Sequence, residues 1–141
     1  MHASGSCLCG DVKYEVAGER PNLALCHCQE CHKVTGSCFS TCLMVPENNF
    51  SIVHGSKPLK TFTVKQESGM NLKVHFCPNC GTTVYKTADA EQFKGTIVLQ
   101  AGTLDKGLAV NMAKPNAEFW TKYRTSWLEE VKGPQQFAEF A

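Results

Sequence analysis

Hydrophobic and polar positions alternate along most of this chain, and the alternation predicts strands. In Gly10 to Gly18 (GDVKYEVAG), Val12, Tyr14 and Val16 share one face while Asp11, Lys13 and Glu15 share the other. That is the signature of a half-buried strand bounded by glycines. Ser37 to Val45 reads as a more buried strand, stopped by the turn cluster Pro46-Glu47-Asn48-Asn49. Phe50 to Val53, Leu59 to Lys65, Leu72 to Phe76, Thr82 to Thr87 and Thr96 to Leu99 continue the pattern, rich in Val, Thr, Phe and Tyr. Helical periodicity is weak, with short candidates at Asp89 to Lys94 and Ser126 to Val131. The expected fold class is mainly β, a single domain over 1–141 of irregular antiparallel sheets with few short helices. An aromatic tail after Pro115 (Phe119, Trp120, Tyr123, Trp127, Phe137, Phe140) is expected to dock on the body.

Composition narrows the partners. At 141 residues the chain is long enough to bury about two-thirds of its unfolded surface. Its formal charge of +1 provides no phosphate-tracking field, so no nucleic-acid partner is expected. Apolar runs fall well short of the roughly 18 residues a membrane span requires, so no membrane partner is expected either. MHASGSCLCG lacks a charged-then-apolar leader pattern, which points to a cytoplasmic protein.

Nine cysteines change the picture. An odd number cannot pair fully within a monomer, and in a reducing compartment thiols serve as metal ligands or catalytic groups. Seven of the nine fall into three clusters: Cys7-x-Cys9, Cys26-x-Cys28-x-x-Cys31 and Cys77-x-x-Cys80. A C-x-C pair on extended backbone projects both sulfurs to one side. The C-x-x-C pair is a knuckle, FCPNCG, in which Gly81 is placed to adopt the left-handed conformation, as Gly10 is after Cys9.

Counting then suggests two unequal zinc sites. Cys7, Cys9, Cys77 and Cys80 make a closed four-sulfur shell, the usual form of a structural zinc. Cys26, Cys28 and Cys31 leave one position free, as in a catalytic zinc. His27, His32, Cys38 or Cys42 could instead close that second shell, and Cys38 and Cys42, four apart in a strand, also read as core thiols. Phe39, Met44, Phe62 and Trp120 are the candidate pocket walls.

These blocks carry a resemblance. GSCLCGDVKYEV, CHCQECHKVTGS and FCPNCGTTVY, in that order, resemble the glutathione-dependent formaldehyde-activating enzyme family, which also includes centromere protein V. FSIVHGSKPLKTF, LQAGTLD and Trp127 extend the likeness over nearly the whole chain. The resemblance implies a structural zinc on Cys7, Cys9, Cys77 and Cys80 and a more labile one on Cys26, Cys28 and Cys31. It also implies a carbon–sulfur lyase that joins formaldehyde to glutathione, giving S-hydroxymethylglutathione. Many members carry arginine after the third middle cysteine, where this chain has His32, and near Phe76 only Lys73 is basic. A bidentate arginine would suit a glutathione carboxylate, so a related thiol substrate stays open. His32 is the candidate proton shuttle, since imidazole titrates near neutrality. The alternative is a non-catalytic zinc-stabilised module binding a protein partner, through the aromatic tail.

Overall fold

The computed structural model describes residues 2–106 and 113–141. Two sheets carry the fold. The smaller has three antiparallel strands in the order β1 (His2–Ser6), β2 (Lys13–Ala17), β5 (Phe50–His54). The larger contains β3 (Asn22–Cys26), β4 (Ser40–Pro46), β6 (Lys60–Lys65), β7 (Asn71–Phe76), β8 (Thr83–Ala88), β9 (Thr96–Gln100), β10 (Ala117–Phe119) and β11 (Gln135–Gln136). Its order is β11-β10-β3-β4-β9-β8-β7-β6. Pairing is antiparallel except around β10, which runs parallel to both β3 and β11.

The mainly β expectation is borne out, and the misses have physical reasons. The helix α1 (Gln29–Thr35) follows directly on the middle cysteines. Its N-cap is Cys28, whose Sγ accepts the Cys31 amide at 3.3 Å, and Gly36 closes it with φ of 64°. A thiolate or thiol cap is not among the usual Ser, Thr, Asp and Asn signals. β1 escapes notice because HASGS holds small residues, and β3 because NLALC is a continuous apolar run without alternation. Asp89 to Lys94 shrinks to a single 3-10 turn, Glu91–Phe93. Ser126 to Val131 forms no helix, since a segment this short cannot offset nucleation without a buried apolar face.

Packing between the sheets forms the main core, with Val12, Tyr14, Val16, Leu43, Val45, Val84 and Leu99 all buried. Direct partners in antiparallel pairs share a face. Ser40, Cys42 and Met44 therefore line up with Gln100 and Val98, and Val98 with Lys86, on the opposite face of the larger sheet. That second face is covered by α1 and by the tail, where Trp120, Phe119, Tyr123 and Phe140 pack around Cys26, Cys28 and Cys31. The tail docks as expected, apart from Trp127, which is 73% exposed.

Candidate metal centres and the cavity beside the second

The first thiol cluster joins the two sheets. Cys7 and Cys9 lie in the β1–β2 connection, Cys77 and Cys80 in the β7–β8 connection. Gly10 and Gly81 take φ of 81° and 78°, the left-handed values the sequence calls for. The four Sγ atoms lie within 4.8 Å of one another, with Cys7 to Cys9 at 3.5 Å and Cys9 to Cys77 at 3.8 Å. Sulfurs about 2.3 Å from a tetrahedral ion stand about 3.8 Å apart, so the shell fits zinc. Burial pushes the Cys7 thiol up to about 11, whereas the hydrogen bond from Thr82 draws Cys80 down to about 5. Cys9 is also lowered, chiefly by Asn79.

The second cluster is buried. The Sγ atoms of Cys26, at the end of β3, and of Cys28 and Cys31, at the cap and first turn of α1, lie within 4.8 Å of one another. Among the described residues, no histidine, carboxylate or further cysteine joins them at that range. All nine cysteines are free thiols, which leaves no disulfide framework. Cys26 is pushed well up by its bonds to Cys28 and Cys31 and by burial. In Cys28 the bond to Cys26 lowers the thiol, but the bond to Cys31 and burial outweigh it and carry it to about 12. Cys31 is held well below the usual thiol range by Cys26 and Cys28, with Lys86 adding its charge. Holding a dication there requires all three sulfurs to be deprotonated.

The trio opens on a cavity of about 40 Å³. Its floor is the larger sheet, through Cys42, Met44, Lys86 and Val98, and Phe93, Phe119 and Phe140 close the sides. Gln66 and Met70, from the β6–β7 turn, form the roof. That turn is latched to the tail, because Lys122 Nζ bridges Glu67 at 2.9 Å and Glu139 at 2.6 Å.

Several sequence expectations sort themselves here. Met44 lines the cavity and Trp120 packs against the trio, but Phe62 is 64% exposed, and Phe39 lies against His27 outside the cavity. Phe62 shares a face with Val74, yet β6 is the sheet's edge and none of the described residues covers it there. Cys42 is a buried wall thiol, pushed up by burial. Cys38 precedes β4 and is half-buried, so it is no strand partner of Cys42. His27 and His32 stay out of the cluster of sulfurs. His27 Nε2 meets Glu118 Oε1 instead, while the half-buried His32 keeps an Nε2 without a partner among the described residues.

Three residues were missed altogether. Lys86 is 3% exposed, with Nζ 3.3 Å from Cys31 Sγ, 3.4 Å from Ser40 Oγ and 3.7 Å from Cys42 Sγ. Burial alone would lower this ammonium, but the facing sulfur charges outweigh it and hold it above its ordinary value. Lys86 stands on the cavity face of β8 opposite Val98, whereas Val84 and Tyr85 face the core between the sheets, so the local alternation does not mark it. Gln66 is 2% exposed, and its Oε1 accepts the Ser68 amide at 2.7 Å. Gln66 lines the cavity, and its Nε2 is a donor with no partner among the described residues. Glu118 was hidden inside the aromatic tail, as the buried acceptor for His27, Gln136 and the Val131 amide.

Fold and site together define a mainly β protein with two thiol clusters able to hold divalent metal, one four-sulfur and one three-sulfur. Comparison with known sequences gives that class its family. Residues 2–123 match the glutathione-dependent formaldehyde-activating enzyme pattern, and the chain belongs to that family. An uncharacterized lyase of Schizosaccharomyces pombe is 30% identical over 83 residues, which is 57% of this chain and 54% of that protein. The chain thus spans about half the length of that curated relative. A crystal structure of a Rhodobacter sphaeroides protein matches the fold with a TM-score of 0.57 at 20% identity, covering 73% of this chain and 88% of that one. No helix among the described residues is long and apolar enough to cross a membrane.

Proposed function

We propose that this chain, as one domain over 1–141, is a zinc-dependent carbon–sulfur lyase-type enzyme acting on a thiol adduct. Glutathione with formaldehyde is the first such pair, and a related thiol the second. In this reading Cys7, Cys9, Cys77 and Cys80 hold a structural zinc, and Cys26, Cys28 and Cys31 hold a catalytic one. The observation that carries it is the trio: three sulfurs gathered within 4.8 Å, no fourth ligand among the described residues, and a cavity against them. Zinc at such a position supplies Lewis acidity and favours the thiolate form of a thiol.

The chain's own residues do the rest. In the condensing direction the thiol sulfur bonds to the formaldehyde carbon, the carbonyl π bond breaks onto oxygen, and the thiol proton ends on that oxygen. His32 is the residue proposed to move that proton, since it follows Cys31 in sequence and its Nε2 has no partner among the described residues. Gln66, which lines the cavity and has no partner for its Nε2 among the described residues, is the proposed donor to the adduct's oxygen. The walls of Met44, Phe93, Phe119 and Phe140 exclude water from the reacting carbon.

The test is exchange NMR on ¹³C-formaldehyde and glutathione at catalytic protein concentration, with the spontaneous rate subtracted. We expect acceleration by the wild type and a return to the spontaneous rate in Cys28→Ser. A zinc-loaded wild type that accelerates neither glutathione nor smaller thiols would instead favour a non-catalytic zinc module that binds a protein partner.

A further inference from the structure

Lys86 is a buried charge that the lyase chemistry does not by itself require. Its ammonium group has three hydrogens and three acceptors: Cys31 Sγ, Ser40 Oγ and Cys42 Sγ. Ser40 gives its own hydroxyl hydrogen to Gln100 Oε1 at 2.6 Å, which turns the oxygen lone pairs toward Lys86. The residue is therefore fixed by β4, β8 and β9 together, in a cavity otherwise walled largely by thiols and hydrocarbon. Burying an ammonium is costly unless it is paired, and here its shortest contact is a trio sulfur. A methionine of equal length would fill the same space. What lysine adds is one positive charge beside Cys31.

That charge bears on what the open position accepts. Three thiolates around a dication leave one net negative charge, which disfavours a further anion. Lys86 cancels it at close range, in surroundings where water screens little. We propose that Lys86 makes the trio's open position selective for an anionic ligand, so that the substrate is taken there as a thiolate through its sulfur rather than as a neutral carbonyl through its oxygen. Lys86 is a positioning residue in this scheme. Its partners are Cys31, Cys42 and Ser40, and the inference rests on the reading of the trio as an open metal site.

The test separates charge from shape. The full chain is loaded with cobalt(II), and its visible spectrum is titrated with thiocyanate, an anion, and with imidazole, a neutral ligand. Cys28→Ser should abolish the response and so locate it at the trio. Lys86→Met should weaken thiocyanate by at least about tenfold and leave imidazole within about twofold. Equal losses for both ligands, or no loss of thiocyanate affinity, would overturn the proposal, because a merely structural role cannot tell charge from neutrality. If Lys86→Met does not fold by circular dichroism, Lys86→Gln takes its place. If neither folds, the wild type decides, and imidazole binding without thiocyanate binding overturns it. A wild type in which only the four-sulfur cluster takes cobalt would remove the open metal site itself, and Lys86 selectivity with it. Cobalt bound at the trio but blind to ligand charge would remove the Lys86 role alone.

Discussion

His27 Nε2 donates to Glu118 Oε1 across 2.8 Å, with both side chains essentially out of solvent. His27 lies between Cys26 and Cys28, and its amide also bonds to the Phe119 carbonyl at 2.9 Å. The tail strand β10 thus clamps the loop that presents two of the trio's sulfurs. Glu118 accepts the Val131 amide and Gln136 Nε2 as well, with Arg124 3.4 Å away. Removing it leaves the buried His27 Nε2 without its acceptor and releases Gln136 and the half-buried Val131 amide as well. Glu118→Ala should cost about 3–5 kcal/mol in urea unfolding, and Glu118→Gln less, because it keeps an acceptor oxygen. Both variants should also bind the second metal more weakly than wild type while retaining the first.

The same carboxylate sets an acid limit. Burial alone would raise the Glu118 carboxyl, but Gln136, His27, the Val131 amide and the Arg124 charge outweigh it and hold it below its ordinary value. A group depressed in the folded state stabilises above its unfolded pKa and loses that contribution as pH falls through the folded one. Wild-type stability should therefore drop on acidification below roughly pH 4.5, where an unfolded glutamate begins to take up protons. Glu118→Gln should show a shallower drop over that window when thermal unfolding is followed against pH.

Gly5 faces Tyr14 across the β1–β2 pair, and a side chain has no room there. A Cβ on Gly5 would stand 2.1 Å from the Tyr14 ring and 2.6 Å from the Thr103 carbonyl. The ring cannot swing away, because Tyr14 is fully buried and its hydroxyl bonds Thr103 Oγ1 at 2.6 Å. Gly5→Ala should destabilise by about 1–3 kcal/mol or more. Tyr14→Leu in the same chain should recover part of that loss, measured as non-additivity in a double-mutant cycle.

How legible was all this in advance? The strands with polar and apolar alternation, such as Lys13–Ala17 and Asn71–Phe76, could be read because period two is a local property. So could both cysteine clusters, whose spacing carries the geometry. What could not be read depends on distant pairing. Lys86 looks like any strand lysine until β8 is laid beside β9 and β4, which places it over Cys31. Glu118 and His27 are 91 residues apart, and only the parallel β3–β10 pairing brings them together. The helix was hidden by its cysteine cap, a residue already assigned to metal.

The two thiol clusters should fail differently. Cys77 is fully buried at the junction of the sheets, and a structural zinc contributes on the order of 10–16 kcal/mol of apparent binding energy coupled to folding. Cys77→Ser should unfold or express insolubly. Cys28→Ser keeps an oxygen able to cap α1, because serine is a good N-cap. That variant should fold, and elemental analysis should find one zinc per chain instead of two.

Acid should empty the sites in a set order. Metal binding requires deprotonated sulfur, so a thiol held at high pKa surrenders its metal to protons at a higher pH than one held low. In the trio, Cys26 is pushed well up and Cys28 stands at about 12, with only Cys31 lowered. In the four-sulfur cluster, Cys80 lies at about 5 and Cys9 is also lowered, against a raised Cys7. As pH falls, the trio should release zinc first and the structural cluster later. Stepwise acidification with a colorimetric zinc indicator should show two releases, the first missing in Cys28→Ser. A reversed order, with circular dichroism lost at the first release, would mean that the trio binds the more tightly held ion.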